Sequence, residues 1–371
     1  MRYESMGKNI GTESQSEMIK RLIDVFGLSG EPRSFEPFGN GHINGTYLLV
    51  TEAEGHCRTY VAQRINTHVF QRPDEVMENI GLVMEHLERK GIRSLRFYQN
   101  QADGSLIWFE NEACWRVADF LPGKSYDETD DFMVLQEAGR AFGGFINALS
   151  DLDSSLLHET IPAFHDTVGR YNALANAEET DFLGRSRLAR EELRLYAEQA
   201  EKACVTARAL SAGEIPSRIT HNDTKLNNVI IDPSSKQAVA VIDLDTVMPG
   251  TLLFDYGDAI RFLANMAEED ESDLTKVRFD IDRFRAFSEG FLGELRDTLT
   301  EAERALLASA PFSATVECGV RFLTDYLNGD RYFKIAYPEH NLVRARNQLA
   351  LAMDMKKHER EIHECIGEIL K

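Results

Sequence analysis

A chain of 371 residues is ample for two packed lobes and too long for one ordinary core. With 43% hydrophobic and 27% charged residues it reads as globular, and a formal net charge of −20 (pI about 5.0) disfavours nucleic acid and anionic lipid as partners. Five scattered cysteines without C-x-x-C spacing, no apolar leader and no apolar run long enough to span a bilayer argue against a zinc site, a disulfide frame, secretion and membrane insertion, and point to a cytoplasmic protein.

Residues 1–13 are expected to form a loose arm. From Glu17 to Leu28, Met18, Leu22, Val25 and Phe26 make a helical stripe that Gly27 ends. The next stretch, F-E-P-F-G-N-G-H-I-N-G-T-Y-L-L-V, has strand-like ends and a turn carrying Gly39, Gly41 and Gly45. The turn is either a plain hairpin or a loop whose backbone N–H groups approach phosphates unobstructed by Cβ atoms. Thr59–Ile65 is the following strand. Its V-A-Q-R places Arg64 where a kinase V-A-I-K strand has a phosphate-holding lysine. A planar, permanently charged fork suits a phosphate, and a solvent-facing strand arginine is the alternative.

Pro73–Lys90 is an amphipathic helix with Val76, Ile80, Val83, Met84 and Leu87 on one face. Glu75, Glu78 and Glu85 lie on it, as partners for Arg64 or as solvated charges. Residues 106–109 and 114–120 form a hairpin about E-N-E-A. L-P-G-K-S is the first firm break, and a hinge at about Asp119–Lys124 separates a lobe of residues 1–120 from one of residues 121–371. An apolar cleft there would suit an adenine ring, with Asp119 and Leu121 as contacts.

Beyond the break the pattern turns helical, over Asp131–Leu149 and residues 189–211, 281–294, 301–327 and 342–370. His165 is expected in loop or core rather than as a ligand. Among these helices, short apolar runs flank the polar loop H-N-D-T-K-L-N-N, and V-A-V-I-D ends in Asp243. His221, Asp223 and Asn228 fit the kinase spacing H-x-D-x-x-x-x-N without a gap, and Asp243 follows as the second acid. A carboxylate at Asp223 would accept the proton of an attacking hydroxyl. Oxygen ligands at Asn228 and Asp243 suit Mg²⁺, which uses few protein ligands besides substrate phosphates. Asp245 is a second metal ligand or a brace for the Asp243 strand. Each acid alone would be an ordinary turn or cap residue; the full set argues for phosphoryl transfer.

Asp255 and Asp258, in D-Y-G-D, open a helix, where acids suit the macrodipole. Asp255 is expected to support the catalytic loop by accepting its backbone N–H groups. Finally, R-F-L-T-D-Y-L-N-G-D-R-Y clusters Arg321, Asp325, Tyr326, Asp330, Arg331 and Tyr332. Forked donors beside ring faces suit a sugar; the alternative is a capped helix end with solvated charges.

These blocks carry a resemblance. The loop and strand resemble the aminoglycoside phosphotransferase and choline kinase superfamily. G-N-G-H-I-N-G-T-Y, V-A-Q-R-I-N, H-N-D-T-K-L-N-N, V-I-D-L-D-T-V-M-P-G and R-F-L-T-D-Y-L-N-G-D-R-Y-F-K-I are similar, more narrowly, to its N-acetylhexosamine 1-kinases. The resemblance implies an α+β, two-lobed protein-kinase-like fold, with a small N-terminal antiparallel-sheet lobe carrying a helix and a larger, mainly helical C-terminal lobe. It implies ATP and Mg²⁺, and a small sugar partner phosphorylated at its anomeric hydroxyl, N-acetylglucosamine or N-acetylgalactosamine. By that likeness Asp223 is the base, with His221 and Asp255 as support. Asn228 and Asp243 bind metal, joined by Asp245 if a second ion is used. Gly39, Gly41 and Arg64 face the nucleotide, and His42, Asn44, Thr224, Arg321 and Tyr332 face the sugar. Arg64 departs from the lysine of the wider superfamily and fits the narrower group. A kinase for a cationic amino alcohol or aminoglycoside would keep the same motif. A non-catalytic nucleotide-binding module would tend to lose Asp223 or a metal ligand, and Asp223, Asn228 and Asp243 are all present. A monomer or a homodimer is expected.

Overall fold

The computed structural model describes residues 12–39 and 43–371; Gly41 and His42, and most of the expected N-terminal arm, lie outside the described residues. The chain forms two compact units, Met1–Glu85 with Ser94–Pro122, and His86–Arg93 with Gly123–Lys371.

The first unit is built on an antiparallel sheet. Its strands are β1 (Glu31–Pro37), β2 (Gly45–Ala53), β3 (His56–Ile65), β4 (Trp108–Glu110) and β5 (Ala113–Asp119), in the order β1-β2-β3-β5-β4. Helix α1 (Thr12–Val25) begins earlier than Glu17, so residues 12 and 13 are helical rather than part of a loose arm. Its Ile19 and Leu22, with Phe26 just beyond, pack with Leu49, Tyr60, Trp115 and Val117 of the sheet, and Gly27 at φ 58° ends it. Helix α2 (Pro73–Arg89) has proline at its first position, where the missing N–H costs nothing.

The second unit is mainly helical, with α3 (Phe132–Ala148), α4 (Thr167–Thr180), α5 (Arg190–Ala203), α6 (Val205–Ser211), α7 (Leu252–Leu263), α8 (Ile281–Leu295), α9 (Glu301–Leu306), α10 (Ala310–Leu327), α11 (His340–Lys357) and α12 (Glu359–Ile369). Three helices expected to be continuous are broken. Pro311 lacks an N–H and fits only a first turn, which separates α9 from α10. Cys204 and His358, at ψ 1° and 8°, leave the helical region and separate α5 from α6 and α11 from α12. Helices α3 and α8 cross so closely that a Cβ on Gly139 would lie 2.2 Å from the Phe287 carbonyl oxygen. Tyr196, Val316, Val320, Leu323 and Leu349 join α5, α10 and α11 in one core.

Two short antiparallel pairs carry the candidate site. Strand β6 (Arg218–Thr220) pairs with β9 (Met248–Gly250), and β7 (Val229–Ile231) with β8 (Ala238–Val241). The glycine that ends V-M-P-G is required there, because a Cβ on Gly250 would come 2.3 Å from Thr220 Oγ1. Among the described residues no helix is long and apolar enough to cross a membrane.

Candidate active site

The loop from His221 to Asn228 joins β6 to β7. Pairing of β7 with β8 continues one step into the loop, where Ile242 N–H donates to the Asn228 carbonyl at 2.9 Å. Asn228 and Asp243 therefore leave the strands on neighbouring segments. Asp243 adopts φ 59°, ψ 57°, a left-handed conformation that aspartate tolerates better than most residues. Asn228 Nδ2 donates to Asp223 Oδ2 at 3.1 Å and to the Asp223 carbonyl at 2.9 Å. The two ends of the loop are thus tied together through the two motif residues.

His221 is fully buried and works as a strut. Its Nε2 donates to the Ile242 carbonyl at 2.9 Å, and its Nδ1 accepts the Asp223 N–H at 3.3 Å. A carbonyl can only accept, so these partners select the neutral tautomer with the proton on Nε2. Burial lowers the His221 pKa and keeps the ring neutral.

Asp255, one turn into α7, closes the loop from beneath. Its carboxylate accepts the N–H groups of His221 and Asn222, each at 2.7 Å. Burial pushes its pKa up to about 7, against the pull of those two amides toward the charged form. Asn222 sits at φ 62° and its Nδ2 donates to the carbonyls of Thr220 and Thr246. Thr246 Oγ1 returns a bond to the His221 carbonyl at 2.7 Å. Thr224 has no exposed surface, and its hydroxyl donates to the Asp255 carbonyl at 2.6 Å. That hydroxyl is spent inside the protein, so the geometry places Thr224 in the loop's support rather than on the sugar side. Asp245 is also buried, in the turn after Asp243.

Lys225, which the sequence motif did not single out, places its ammonium 2.8 Å from Asp223 Oδ1. Burial works against its charge, yet the Asp223 carboxylate outweighs it and the Lys225 pKa is raised. Lys225 also feels Asp258, which pairs with Arg261 at 2.8 Å; Asp258 in turn acts on His165. His165 is held by Glu317 at 2.9 Å and stacks on Phe254, with ring centroids 4.7 Å apart. It belongs to the packing, as expected. Glu317 is shared with the Thr167 hydroxyl at 2.5 Å.

This relay of charges leads to Arg321, on the same helix as Glu317 and close enough to act on His165. The Arg321 guanidinium lies 5.8 Å from the Phe164 ring, 5.9 Å from Tyr332 and 5.6 Å from Phe333. Arg170, on a helix the sequence pattern did not reveal, is its electrostatic neighbour. Burial first, and then the Arg321 charge, lower the Arg170 pKa. Tyr332 itself is 71% exposed.

The nucleotide-side candidates lie in the first unit. Gly39 has φ 75°, the left-handed region that glycine favours, and an added Cβ there would meet nothing. Arg64 is exposed, opposite Gly45 and Trp115 in the sheet. Asp119 accepts the Tyr98 hydroxyl at 2.6 Å, and Leu121 follows it, half-buried. Asn44 Oδ1 accepts the Asn66 N–H at 2.9 Å. Glu75 pairs with Arg72 at 2.9 Å.

Among the described residues, no three His, Cys, Asp or Glu side chains gather as a metal-binding group. Mg²⁺ needs less, since one or two carboxylates with substrate phosphates suffice. Asn228 commits its Nδ2 to Asp223 and keeps its side-chain carbonyl oxygen as a hard ligand. The Asp243 carboxylate follows on the adjoining segment. This donor set fits Mg²⁺.

An aspartate–asparagine loop beside a second aspartate, in a mixed fold with an antiparallel N-terminal sheet, defines a phosphoryl-transfer class of protein. Residues 34–291, more than half of the chain, match the Phosphotransferase enzyme family, and the chain belongs to that family. The fold is that of aminoglycoside phosphotransferases and choline kinases. An aminoglycoside phosphotransferase from Alicyclobacillus acidocaldarius is similar with a TM-score of 0.59 at 13% identity, over 91% of this chain and 93% of that one. A choline kinase from Cryptosporidium parvum has a TM-score of 0.58 at 11% identity, over 97% and 100%. A spectinomycin phosphotransferase in complex with ADP and spectinomycin has a TM-score of 0.56 at 13% identity, over 92% and 98%.

Proposed function

We propose that this phosphotransferase uses ATP with Mg²⁺ to phosphorylate the anomeric hydroxyl of N-acetylhexosamines, N-acetylglucosamine or N-acetylgalactosamine, giving the sugar 1-phosphate. The observation that carries this reading over its relatives' substrates is the wall around Arg321. It offers two neighbouring guanidinium groups and three aromatic rings, while the nearby Glu317 is committed to His165 and Thr167. Arg321 is the donor of this wall, since Arg170 Nη2 already donates to the Ala163 and Phe164 carbonyls, and both positive charges repel cations. The rings by themselves would attract a cation, but here their faces already meet the Arg321 guanidinium, so the wall suits a neutral acceptor rich in oxygen lone pairs over choline or a protonated aminoglycoside. The blocks that resemble N-acetylhexosamine 1-kinases include this segment.

In this reading Asp223 hydrogen-bonds the acceptor hydroxyl and takes its proton as the oxygen attacks the terminal phosphorus. The O–H bond breaks, a P–O bond forms and ADP leaves. Asn228 and Lys225 hold the Asp223 carboxylate in place, and the neutral His221 strut with Asp255 fixes the backbone beneath it. Mg²⁺, held by Asn228 and Asp243, would offset negative charge on the phosphates. In the first unit, Gly39, Arg64 and the segment at Asp119 and Leu121 are the proposed nucleotide contacts, and Asn44 a sugar-side one.

The test is ATP consumption with an acceptor panel, followed by identification of the phosphorylated position. Turnover with the two N-acetylhexosamines at C1, and none with choline, ethanolamine or aminoglycosides, is the expected result. Turnover with choline in preference to sugars would assign an amino alcohol kinase instead.

A further inference from the structure

Asp325 follows Arg321 by one turn of α10 and is 6% exposed. Its carboxylate accepts three consecutive backbone N–H groups, those of Arg331, Tyr332 and Phe333, each at 2.9 Å. Asn341 Nδ2, from α11, adds a fourth bond at 3.0 Å. The chain returns to Asp325 through Gly329 at φ 90° and Asp330 at φ 57°, two left-handed residues in succession. Asp330 is itself pinned, by Arg185 Nη1 at 2.5 Å and by Asn341 Nδ2 at 3.0 Å. A buried carboxylate collecting several amides is charge-assisted at every bond, so the turn has one backbone path. The Tyr332 ring, by contrast, projects from it largely exposed, 5.9 Å from the Arg321 guanidinium.

We propose that Asp325 is a positioning residue for the acceptor-side wall, fixing the backbone from which the Tyr332 ring stands beside Arg321, and so governs affinity for the acceptor without entering the chemical step. Asp325 links two members of that wall. Arg321 shares its helix, and Tyr332 hangs from its hydrogen bonds. The proposal rests on the acceptor-side reading of Arg321 and Tyr332, and it is independent of which acceptor is used.

The experiment is steady-state kinetics of Asp325→Asn with the best acceptor from the panel, whatever its class. Asparagine keeps the volume and one acceptor oxygen for the Arg331 and Tyr332 N–H groups, but turns an N–H₂ toward the Phe333 N–H and Asn341 Nδ2, which then lose their acceptor. Acceptor KM should rise about tenfold, the equivalent of one charge-assisted hydrogen bond, with kcat at saturating acceptor, KM for ATP and acceptor-independent ATP hydrolysis each within about twofold of the parent. Arg185→Ala, which removes one of the two groups that pin Asp330 and leaves Asp325 intact, should raise acceptor KM about threefold and keeps the test open if Asp325→Asn does not fold. An unchanged acceptor KM in the folded variants would overturn the proposal, as would a parallel loss of ATP affinity. If the panel selects a non-sugar acceptor, the sugar reading falls while these measurements still decide the role of Asp325.

Discussion

Asp255 grips the backbone at His221 and Asn222, and Asp325 grips it from Arg331 to Phe333, each as a buried carboxylate accepting consecutive amides. What the two turns present is different. The first holds short side chains, Asp223 and Asn228, which are tied to each other and to Lys225. The second holds a long aromatic side chain that is 71% exposed, beside a guanidinium. In the proposed function one device serves two ends: fixed reacting groups where chemistry requires geometry, and a fixed backbone with a free-standing ring where recognition requires reach.

The contrast is open to measurement. The largest effect belongs to the proposed base: Asp223→Asn should lower kcat about 1,000-fold with little change in melting temperature, and near-parental turnover would remove Asp223 from the chemistry. Asp243→Ala should raise the Mg²⁺ concentration needed for half-maximal turnover about 10- to 100-fold; an unmoved Mg²⁺ titration would take Asp243 out of the ligand set. Asp255→Asn should lower kcat about tenfold and leave acceptor KM alone, the opposite of the pattern for Asp325→Asn, and identical kinetic signatures would erase the distinction.

Asp255 also predicts a pH dependence. Its pKa is about 7 in the fold and about 3.9 in an unfolded chain, so the folded protein binds this proton more tightly. Its contribution to stability is therefore greatest below about pH 4, falls as pH rises, and levels above about pH 7, losing about 2–3 kcal/mol between pH 5 and 7. Urea unfolding across that range should show the slope in the parent and a flatter line in Asp255→Asn. At the rim, Tyr332→Ala should raise acceptor KM about tenfold, no less than Asp325→Asn, with kcat and KM for ATP unchanged.

Much of this was legible before any coordinates. His221, Asp223 and Asn228 lie on one short loop and Asp243 on the segment paired beside it, so their spacing survives as a pattern in one dimension. The hairpins of the first unit carry their own turn signals, whereas Pro311, a helix-start signal inside residues 301–327, is hidden by the apolar periodicity that runs through it. Other features leave no local trace. Helix α4 buries only Thr167, Leu174 and Ala177, too little to make a stripe, so Arg170 went unnoticed. Cys204 and His358 break helices without glycine or proline beside them. Lys225 looks like any loop lysine until its distance to Asp223 is known. Thr224 sits in the motif like a substrate contact, and only its burial reveals the bond to Asp255.

The carboxylate that fastens His221 lies 34 residues further along the chain. A ribosome therefore delivers the H-N-D-T-K segment well before its clasp. Until Asp255 has emerged and α7 has seated, those two amides have no such acceptor and the reacting groups have no fixed frame.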